Sequence, residues 1–536
     1  MTQLASWMGA VSDTGPRATL PAEVGDVVRE RVGRLPELAA KILSDASILG
    51  TELDVDGLMA VTGLDASAVL DGLAPALDAG LLVRDDLPGR WRFVHGLVSE
   101  TLRSHLGSER SARLHLSAAQ GLRDYNGGRP GPHLSALAAH LVDAAPLVDR
   151  GEVVAALAAA ASWNAEHLAF EQAFGQVERA LEVVGRMPEG EARDRAELDV
   201  QGLRAQLILT TSGYGRPELG ETCRRMRALC GRLEAGNQIA PAVLWRLIVM
   251  HTARCELETA VDLGQEVATL NGGANASIQL SHMGLGTTLT HRGDISLARK
   301  HFDAAIAGLA ESRAGLDGVV AETPEIWISV FSAWNRWHTG DSDGAEREVL
   351  AAVELAAEQG ELTYGHTFAH WFSGLIAVLR QDAETALQRC DQGIELARRG
   401  GFQMLLPFMR TCRGWAVGRT GDIDVAIAEI EAGTALATQT GTRMLQHVFP
   451  AFLADTHLWA GRPDEAVLHA RAGLEAADVT GERWYEPELH RLLGVALAES
   501  DRPAAISSLH RAVDLADSQG NRALGDRARD SLAQYV

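Results

Sequence analysis

A spacing of about 40 residues recurs through the second half of this chain and constrains its fold more than any other feature. Turns rich in Gly and Asp are each followed by an alanine, at Ala298, Ala345, Ala386, Ala426, Ala466 and Ala505. These alanines are 47, 41, 40, 40 and 39 residues apart. A second series, formed by Gly360, Gly400, Gly441, Gly481 and Gly520, has spacings of 40, 41, 40 and 39. Two series that share one period predict a repeat architecture.

Each repeat is predicted to be a helical hairpin. Residues 365–380 place their large apolar side chains three and four residues apart, which makes one stripe on a helix that must pack on its neighbours. The turn carboxylates of Asp294, Asp341 and Asp422 are expected to cap the second helix of a hairpin. The recurring glycines are expected to end that helix in the left-handed conformation. The predicted fold class is therefore mainly all-α, with an α-solenoid that begins near His133.

The small residues at the turns of these hairpins resemble the tetratricopeptide repeats. A unit of about 40 residues exceeds the usual ~34 of that family, which implies longer helices or turns. The resemblance implies an array that binds a protein or a small effector.

The first part of the chain resembles another family. The segments LPAEVGDVVRERVGRLPELAAKILSDASILG, LMAVTGLDASAVLDGLAPALDAGLLV and RWRFVHGLVSETLRSHL occur in this order. They resemble the winged-helix segment that follows the ATPase core of bacterial STAND regulators. The resemblance continues through the repeats, which are similar to those of predicted ATPases linked to adenylate or guanylate cyclase or to LuxR- or SARP-type transcriptional regulators. It covers nearly the whole chain.

These patterns divide the chain into four predicted parts. Residues 1–19 are expected to be a flexible segment, residues 20–125 a small winged-helix-like domain, and residues 133–536 the tetratricopeptide-like array. Between the last two, the run NGGRPGP at residues 126–132 is dense in Gly and Pro and is predicted to be a linker.

No catalytic motif is present in the sequence. It lacks the P-loop pattern G-x-x-x-x-G-K-[ST], and neither of its two lysines, Lys41 and Lys300, follows a glycine. It also lacks G-x-S-x-G and H-E-x-x-H. We expect the chain to be non-catalytic, and the resemblance implies ATP or ADP only where the chain is joined to an ATPase module.

Charge argues against nucleic acid and membranes as direct partners. The net charge is -22, which repels phosphate backbones and anionic lipid surfaces. The segment that would hold a DNA-recognition helix, residues 51–83, has six Asp or Glu and no Lys or Arg. The five cysteines form no C-x-x-C pair, and no stretch is long and apolar enough to span a membrane. A cytoplasmic location is expected.

The candidate site residues fall into two groups. In the F-x-H-x-L segment, the resemblance implies that His95 contacts the β-phosphate of a bound nucleotide; the alternative is a partly buried histidine that fixes the strand-to-helix turn. In the array, aromatic residues on predicted first helices are candidates for a concave partner groove, and core packing between repeats is the alternative. The groove candidates are Trp334, Arg336, Trp337, Trp371, Trp484, Tyr485 and His490.

Metal binding is not predicted. The pairs His366 with His370, and His251 with Cys255, have i,i+4 spacing, but neither has a third ligand at a suitable distance in the sequence.

The sequence thus predicts the sensor and protein-interaction half of a STAND-type signalling ATPase or transcriptional regulator. An ATPase module, in cis or in trans, is the partner that the winged helix would serve. The alternatives are a free-standing tetratricopeptide scaffold and the regulatory tail of a nucleotide cyclase.

Overall fold

The computed structural model describes residues 22–127, 129–213, 215–233, 236–270, 275–316 and 323–535. The segment predicted to be flexible, residues 1–19, lies outside these ranges, as does residue 128 of the predicted linker. The chain forms two compact units. The first comprises residues 1–163 and 178–187, and the second comprises residues 164–177 and 188–536.

The first unit combines helices with one small antiparallel sheet. Its described elements are α1 (Ala22–Gly33), α2 (Glu37–Ala46), β1 (Glu52–Asp54), α3 (Val55–Thr62), α4 (Ala66–Asp78), β2 (Leu82–Arg84), β3 (Arg90–Phe93), α5 (Gly96–Ser104), α6 (Ser108–Asn126) and α7 (Leu134–Asp143). Two further helices, α8 (Arg150–Glu166) and α9 (Phe170–Gly185), contribute residues to both units.

The sheet has the strand order β1-β3-β2, and its inward side chains join the helices in one core. Leu53 pairs with Trp91, and Leu82 pairs with Phe93, so alternate residues of each strand point into the core. The strands β2 and β3 form an antiparallel hairpin.

Polar contacts fix the start of α5 against the turn that precedes β1. The Ser99 hydroxyl donates to the carbonyls of Ser47 and Gly50 at 3.0 and 3.1 Å. The Arg103 guanidinium donates to the same Ser47 carbonyl at 2.8 Å. These bonds satisfy acceptors at the end of the short 3-10 turn Ser47–Leu49, where α2 has just ended.

The second unit is a solenoid of helical hairpins, as predicted. Its helices are α10 (Glu191–Ser212), α11 (Pro217–Cys230), α12 (Gly236–Ala253), α13 (Leu257–Thr269), α14 (Asn275–Arg292), α15 (Ile295–Leu316), α16 (Pro324–His338), α17 (Ser342–Glu358), α18 (Tyr364–Leu379), α19 (Ala383–Gly400), α20 (Leu406–Thr420), α21 (Ile423–Gln439), α22 (Val448–Trp459), α23 (Pro463–Thr480), α24 (Glu486–Leu497), α25 (Arg502–Gln519) and α26 (Arg522–Leu532). The even-numbered helices from α10 to α24 are the first helices of the hairpins, and the odd-numbered helices from α11 to α25 are the second.

The periodic alanines pack where the two helices of a hairpin approach each other. All six, from Ala298 to Ala505, are fully buried. Two of the three predicted caps are confirmed: the side chain of Asp341 accepts a hydrogen bond from Gly344 N–H at 2.9 Å, and Asp422 accepts one from Val425 N–H. The Asp294 carboxylate accepts a hydrogen bond from the Arg292 guanidinium at 2.5 Å, and its capping role stays a prediction.

One glycine of the second series was predicted at the wrong residue. We expected Gly400 to end its helix in the left-handed conformation, but α19 continues through Gly400 and the next residue, Gly401, has φ of +72°. A side chain on Gly400 would lie 2.2 Å from the Phe402 ring. Gly400 is therefore required for close packing, and Gly401 for the turn.

Among the described residues, no single helix is long and apolar enough to cross a membrane. Helices α3 and α4 reach that length and apolarity only when taken together, and they are bent by 99° relative to each other. Within the same residues, no group of three or more His, Cys, Asp or Glu side chains is arranged to hold a metal ion.

Candidate functional site

First helices of the second unit enclose an aromatic cavity. Helices α12, α14, α16 and α18 form most of its wall, and residues 444 and 445, which precede α22, form the rest. The volume of the cavity is about 30 Å³, which is room for about one or two water molecules. The lining residues are Trp245, Ile248, Val249, Thr252, Ala253, Gly284, Thr287, His291, Trp327, Phe331, Trp334, Phe368, Trp371, Phe372, Leu375, Met444 and Leu445. This lining contains no Asp, Glu, Lys or Arg.

Rings from successive first helices pack on one another along the cavity wall. Trp327 lies 5.5 Å from Phe368 with nearly parallel rings, and 5.1 Å from Trp245 in an edge-to-face arrangement. Phe331 and Phe372 also meet edge to face, with 4.8 Å between ring centroids. These are favourable aromatic geometries. The wall of the cavity is therefore continuous with the core between repeats.

Three indole N–H groups of this wall lack a hydrogen-bond partner among the described residues. They belong to Trp327, Trp334 and Trp371, and each Nε1 atom is buried. By contrast, the Thr287 hydroxyl donates to a main-chain carbonyl of its own helix at 3.0 Å. Since buried donors usually find an acceptor, these three N–H groups are unsatisfied, and they lie within the packed wall rather than facing the cavity.

A fully buried carboxylate, that of Glu482, joins two lining residues of the cavity. Its Oε1 lies 2.7 Å from Nδ1 of His291, and its Oε2 accepts the Leu445 N–H at 2.7 Å. Nδ1 of His447 lies 3.3 Å from Oε2. Burial raises the pKa of Glu482, but the two imidazoles outweigh this effect and lower the pKa to about 2. The carboxylate is therefore ionised at neutral pH.

Main-chain hydrogen bonds hold the same segments together. We call residues 443–447 and 481–485 the closing segments, because they lie over the first helices of much earlier repeats. The N–H groups of Arg443 and Met444 donate to the Ala253 carbonyl at 3.0 and 3.1 Å, and Arg483 N–H donates to the His291 carbonyl at 3.0 Å. His291 and Glu482 are 191 residues apart in sequence. The array thus folds back on itself.

A second buried polar cluster lies in the last repeats. The Arg491 guanidinium donates to both carboxylate oxygens of Glu488, at 2.7 and 2.9 Å, and Arg527 lies 3.7 Å from Glu488. The Asp455 carboxylate accepts the Trp415 indole N–H at 3.1 Å. Burial raises the pKa of Asp455, whereas the two guanidinium groups outweigh burial at Glu488 and lower its pKa. Both carboxylates have protein partners, so this cluster has a structural role.

The five aromatic groove candidates, Trp334, Trp337, Trp371, Trp484 and Tyr485, are all buried. Trp334 and Trp371 line the aromatic cavity. Trp484, in a closing segment, packs edge to face on Trp334 at 4.8 Å and so covers it. The structure therefore brings three of the five together at one place, and their binding role stays a prediction.

The two polar groove candidates lie apart from the cavity. Arg336 is half-buried and donates to Glu348 at 2.8 Å and to Asp341 at 3.0 Å. His490 is half-buried and lies 3.9 Å from Glu486, and burial lowers the pKa of His490 to about 4. Arg336 therefore already has two carboxylate partners.

His95 lies between β3 and α5, at the residue just before the helix. It is half-buried, has extended backbone angles, and makes no side-chain hydrogen bond that caps α5. This placement is compatible with both interpretations of the residue, and its contact with a nucleotide stays a prediction.

Sequence reasoning missed the residues that tie the closing segments to the first helices. Glu482, His291 and His447 stand in no recognisable motif. The available signal was a charged residue beside Gly481 in a turn followed by two aromatic residues. Since charged turn residues are usually exposed, nothing in that pattern indicates burial.

Comparisons with known proteins find only distant likenesses, and no protein-family model matches the chain. An uncharacterized protein of Rhizobium meliloti (strain 1021) is 23% identical over 530 residues, which cover 94% of this chain and 49% of that protein. The chain thus spans about half the length of the curated relative it matches.

Solved helical-repeat structures are also similar at low identity. The Signal Transduction ATPase with Numerous Domains (STAND) protein with a tetratricopeptide repeat sensor from Pyrococcus horikoshii is 12% identical, with a TM-score of 0.38, and the match covers 97% of this chain and 68% of that chain. A Rap protein complexed with Competence and Sporulation Factor is 12% identical, with a TM-score of 0.37, and the match covers 72% and 98%. These likenesses are too distant to assign the chain to a family.

Proposed function

We propose that this chain is the sensor and partner-binding part of a STAND-type signalling protein. In this proposal the repeat array binds an effector or a partner protein, and the N-terminal unit passes occupancy of the array to a nucleotide-driven switch, in cis or in trans. The chain itself is non-catalytic.

The observation that carries the proposal is the composition of the cavity wall. Four first helices and one closing segment meet around the same space, so an effector that changes the spacing of these segments acts on residues from 245 to 445 at once. A ligand that binds the closed arrangement of these segments more tightly than an open one shifts the equilibrium toward the closed arrangement. This is what a sensor requires.

The order of elements in the N-terminal unit supports the proposal that this unit couples the array to a nucleotide-driven switch. The order α2, β1, α3, α4, β2, β3, with the sheet order β1-β3-β2, agrees with the order expected for a winged helix and so supports this part of the proposal. Its α4 would be the DNA-recognition helix, yet the acidic residues Asp65, Asp71 and Asp78 in and beside it are exposed. An acidic helix suits a protein surface better than a phosphate backbone.

The test begins with the native polypeptide. We expect the DNA directly upstream of the Met1 codon to continue in frame through a P-loop segment, and the native mass to exceed 57.3 kDa. Co-purification of a separate ATPase would support the same switch in trans. A native mass of 57.3 kDa without any nucleotide-binding partner would contradict the proposal and favour a free-standing scaffold.

A substitution then tests the coupling role of His95. In the polypeptide or complex that contains the ATPase, His95→Ala is expected to shorten the retention of ADP. His105→Ala, an exposed histidine of the same unit, is the matched control. Equal ADP retention in both variants would contradict a nucleotide contact by His95.

A further inference from the structure

Several arginines gather beside the second helix α11 without a carboxylate among them. We propose that Arg224 and Arg254 form a binding site for the phosphate group of a small anionic ligand. This inference rests on the proposed function, because it names the chemical class of an effector that the array would sense.

The head groups of Arg224 and Arg254 converge on one point of α11. A Cβ atom placed on Gly220 would lie 3.4 Å from Nη1 of Arg224 and 3.4 Å from Nη1 of Arg254. Because Gly220 has no side chain, both guanidinium groups surround the same small space. Two like charges in one place repel each other unless an anion lies beside both.

Neither guanidinium has a carboxylate partner among the residues that the structure describes. Arg254 donates to the main-chain carbonyl of Arg216 at 3.0 Å, and Arg224 makes no hydrogen bond or ion pair there. Glu218, on the same helix, lies 3.8 Å from the Arg216 guanidinium instead, and the exposed Glu221 pairs with neither arginine. The cluster is therefore positively charged, in a chain whose net charge is -22.

Two arginines at corresponding places in the array do have carboxylate partners. Arg292 is the last residue of α14, and its guanidinium lies 3.2 Å from Glu258, the second residue of α13. Arg380 directly follows α18 and lies 3.2 Å from Asp343, the second residue of α17. Arg254 likewise directly follows α12. Since the other two arginines each bind an oxyanion of the chain, Arg254 is free to bind one from outside.

A third arginine adds positive potential to this site. Arg246 is half-buried on α12, and its guanidinium donates to the Ala242 carbonyl of its own helix at 3.3 Å. Burial raises the pKa of the Cys223 thiol to about 11, and the positive charges of Arg246, Arg254 and Arg224 oppose this increase. All three guanidinium groups therefore lie near that thiol.

A phosphate group matches this arrangement better than a carboxylate does. A phosphate monoester carries about -1.5 to -2 charges at pH 7 and has three strong acceptor oxygens. Each guanidinium can donate two parallel hydrogen bonds to such oxygens, so one phosphate can bind two arginines. A nucleic acid also carries phosphates, but the acidic remainder of the chain repels a polyanion. A small ligand is therefore favoured.

The site adjoins the place where a closing segment contacts the array. Arg443 N–H donates to the carbonyl of Ala253, the residue before Arg254, at 3.0 Å. Gly215, just before α11, is in close main-chain contact with Gly441, since a Cβ atom on Gly441 would lie 3.0 Å from the Gly215 carbonyl oxygen. A phosphate that holds Arg254 in this position favours the closed arrangement of these segments.

Thermal unfolding of the whole chain tests the site, with inorganic phosphate as the probe and sodium chloride at the same ionic strength as the control. We expect a saturable rise of the unfolding midpoint in phosphate, and one-to-one binding in isothermal titration calorimetry. General stabilisation by phosphate salts comes from exclusion from the protein surface, so it does not saturate. Equal midpoints in the two salts, or a rise without saturation, would overturn the proposal.

Replacement of the arginines locates the site. Arg254→Gln and Arg224→Gln are each expected to weaken phosphate binding at least about tenfold, because each removes charge-assisted hydrogen bonds. Arg399→Gln is the matched control, since it removes an exposed arginine that is paired with Glu361 on another part of the array. Phosphate affinity that is unchanged in both cluster variants, or equally reduced in the control, contradicts this site.

A carboxylate introduced into the cluster should replace the ligand. Gly220→Asp is expected to abolish phosphate binding and to raise the unfolding midpoint in chloride, because its carboxylate lies beside both guanidinium groups. Gly220→Ala adds the Cβ atom without the charge and is the matched control. Circular dichroism shows whether both variants fold, and the arginine variants decide alone if they do not. Unchanged phosphate binding in a folded Gly220→Asp chain contradicts the proposal.

A single-stranded oligonucleotide tests the other source of phosphate groups. We expect it to bind no more tightly than inorganic phosphate. Tighter binding that is lost in Arg254→Gln would assign the cluster to nucleic acid and overturn the claim of a small ligand. An in-frame P-loop upstream and the native mass do not depend on any of these results, so failure here is distinguishable from failure of the proposed function.

Discussion

The first and second helices of each hairpin come from the same repeat but have different burial. On the second helix α23, the buried residues are Ala466, Ala470, Gly473, Ala477 and Thr480, which form one narrow stripe. On the first helix α18, every residue from His366 to Leu379 is buried. The second helices show one face to the core, as in an ordinary amphipathic helix. Helix α18 therefore has neighbours on all sides.

The difference comes from the closing segments and the last helix. Trp484 packs on Trp334 and lies 5.2 Å from His338, and Asn521 hydrogen-bonds to His338 across 183 residues of sequence. The side that would be a concave groove is thereby covered around α16. The two helices of a repeat therefore have similar burial only where no distant segment of the chain packs against one of them.

Loss of a closing aromatic residue should have the largest effect. Trp484→Ala is expected to lower the free energy of unfolding by about 4 kcal/mol, because it removes a fully buried ring and leaves a cavity beside Trp334. Urea unfolding followed by circular dichroism measures this. Trp459→Ala, at a half-buried position at the end of α22, should cost clearly less. Equal losses would mean that the closing segments add nothing to the first-helix layer.

Loss of the buried Glu482 carboxylate should have the second-largest effect on the free energy of unfolding. Glu482→Ala removes the partner of His291, His447 and the Leu445 N–H, and it is expected to cost about 3 kcal/mol. Glu361→Ala, which removes an exposed ion pair with Arg399, should leave stability unchanged within error in the same urea series. No difference between the two variants would show that Glu482 does not hold the segments together.

A larger side chain at Ala466 tests how closely the two helices of a hairpin approach each other. Ala466→Leu is expected to destabilise the array by about 2 kcal/mol, because this alanine is fully buried between the two helices of its hairpin. Leu468→Ala, two residues away on the exposed face, should change the unfolding midpoint little. A tolerated leucine at residue 466 would contradict the close approach of the two helices.

Acid should destabilise the array by protonating His338, which lies on the first helix α16. Burial lowers the pKa of His338 to about 3, so this residue is neutral in the folded state, while the unfolded chain binds a proton near pH 6.5. The contribution of neutral His338 to the free energy of unfolding is complete above pH 6.5. It declines as the pH falls toward 3, by about 1.4 kcal/mol at pH 5.5. Stability measured at pH 7 and 5.5 should therefore fall less in His338→Asn than in the original chain. The same fall in both would show that His338 is not the titrating group.

A cap of a second helix should have the smallest effect. The Asp382 side chain accepts the Thr385 N–H at 3.1 Å. Hydrogen bonds from the Thr385 side chain and then from its N–H lower the pKa of Asp382. Asp382→Ala is expected to cost about 1 kcal/mol by thermal or urea unfolding. Glu354→Ala, at an exposed position inside α17, should be neutral. A cost as large as that of Trp484→Ala would mean that the hairpin turns, rather than the closing segments, dominate stability.

The helical hairpins, their period and most of the residues where helices start can be predicted from the amino-acid sequence alone. Asp341 and Ala426 show why: a cap or a close helix contact depends on residues a few positions away, so its signature is local. The one misplaced residue, Gly400, is of the same kind, since two adjacent glycines left the end of the helix ambiguous by one position. Only the tertiary structure decided that Trp334 and Trp371 line a cavity and that Glu482 is buried beside two histidines. Those facts depend on segments nearly two hundred residues apart, and the curvature that brings such segments together is the sum of many small rotations between repeats, which no local pattern records.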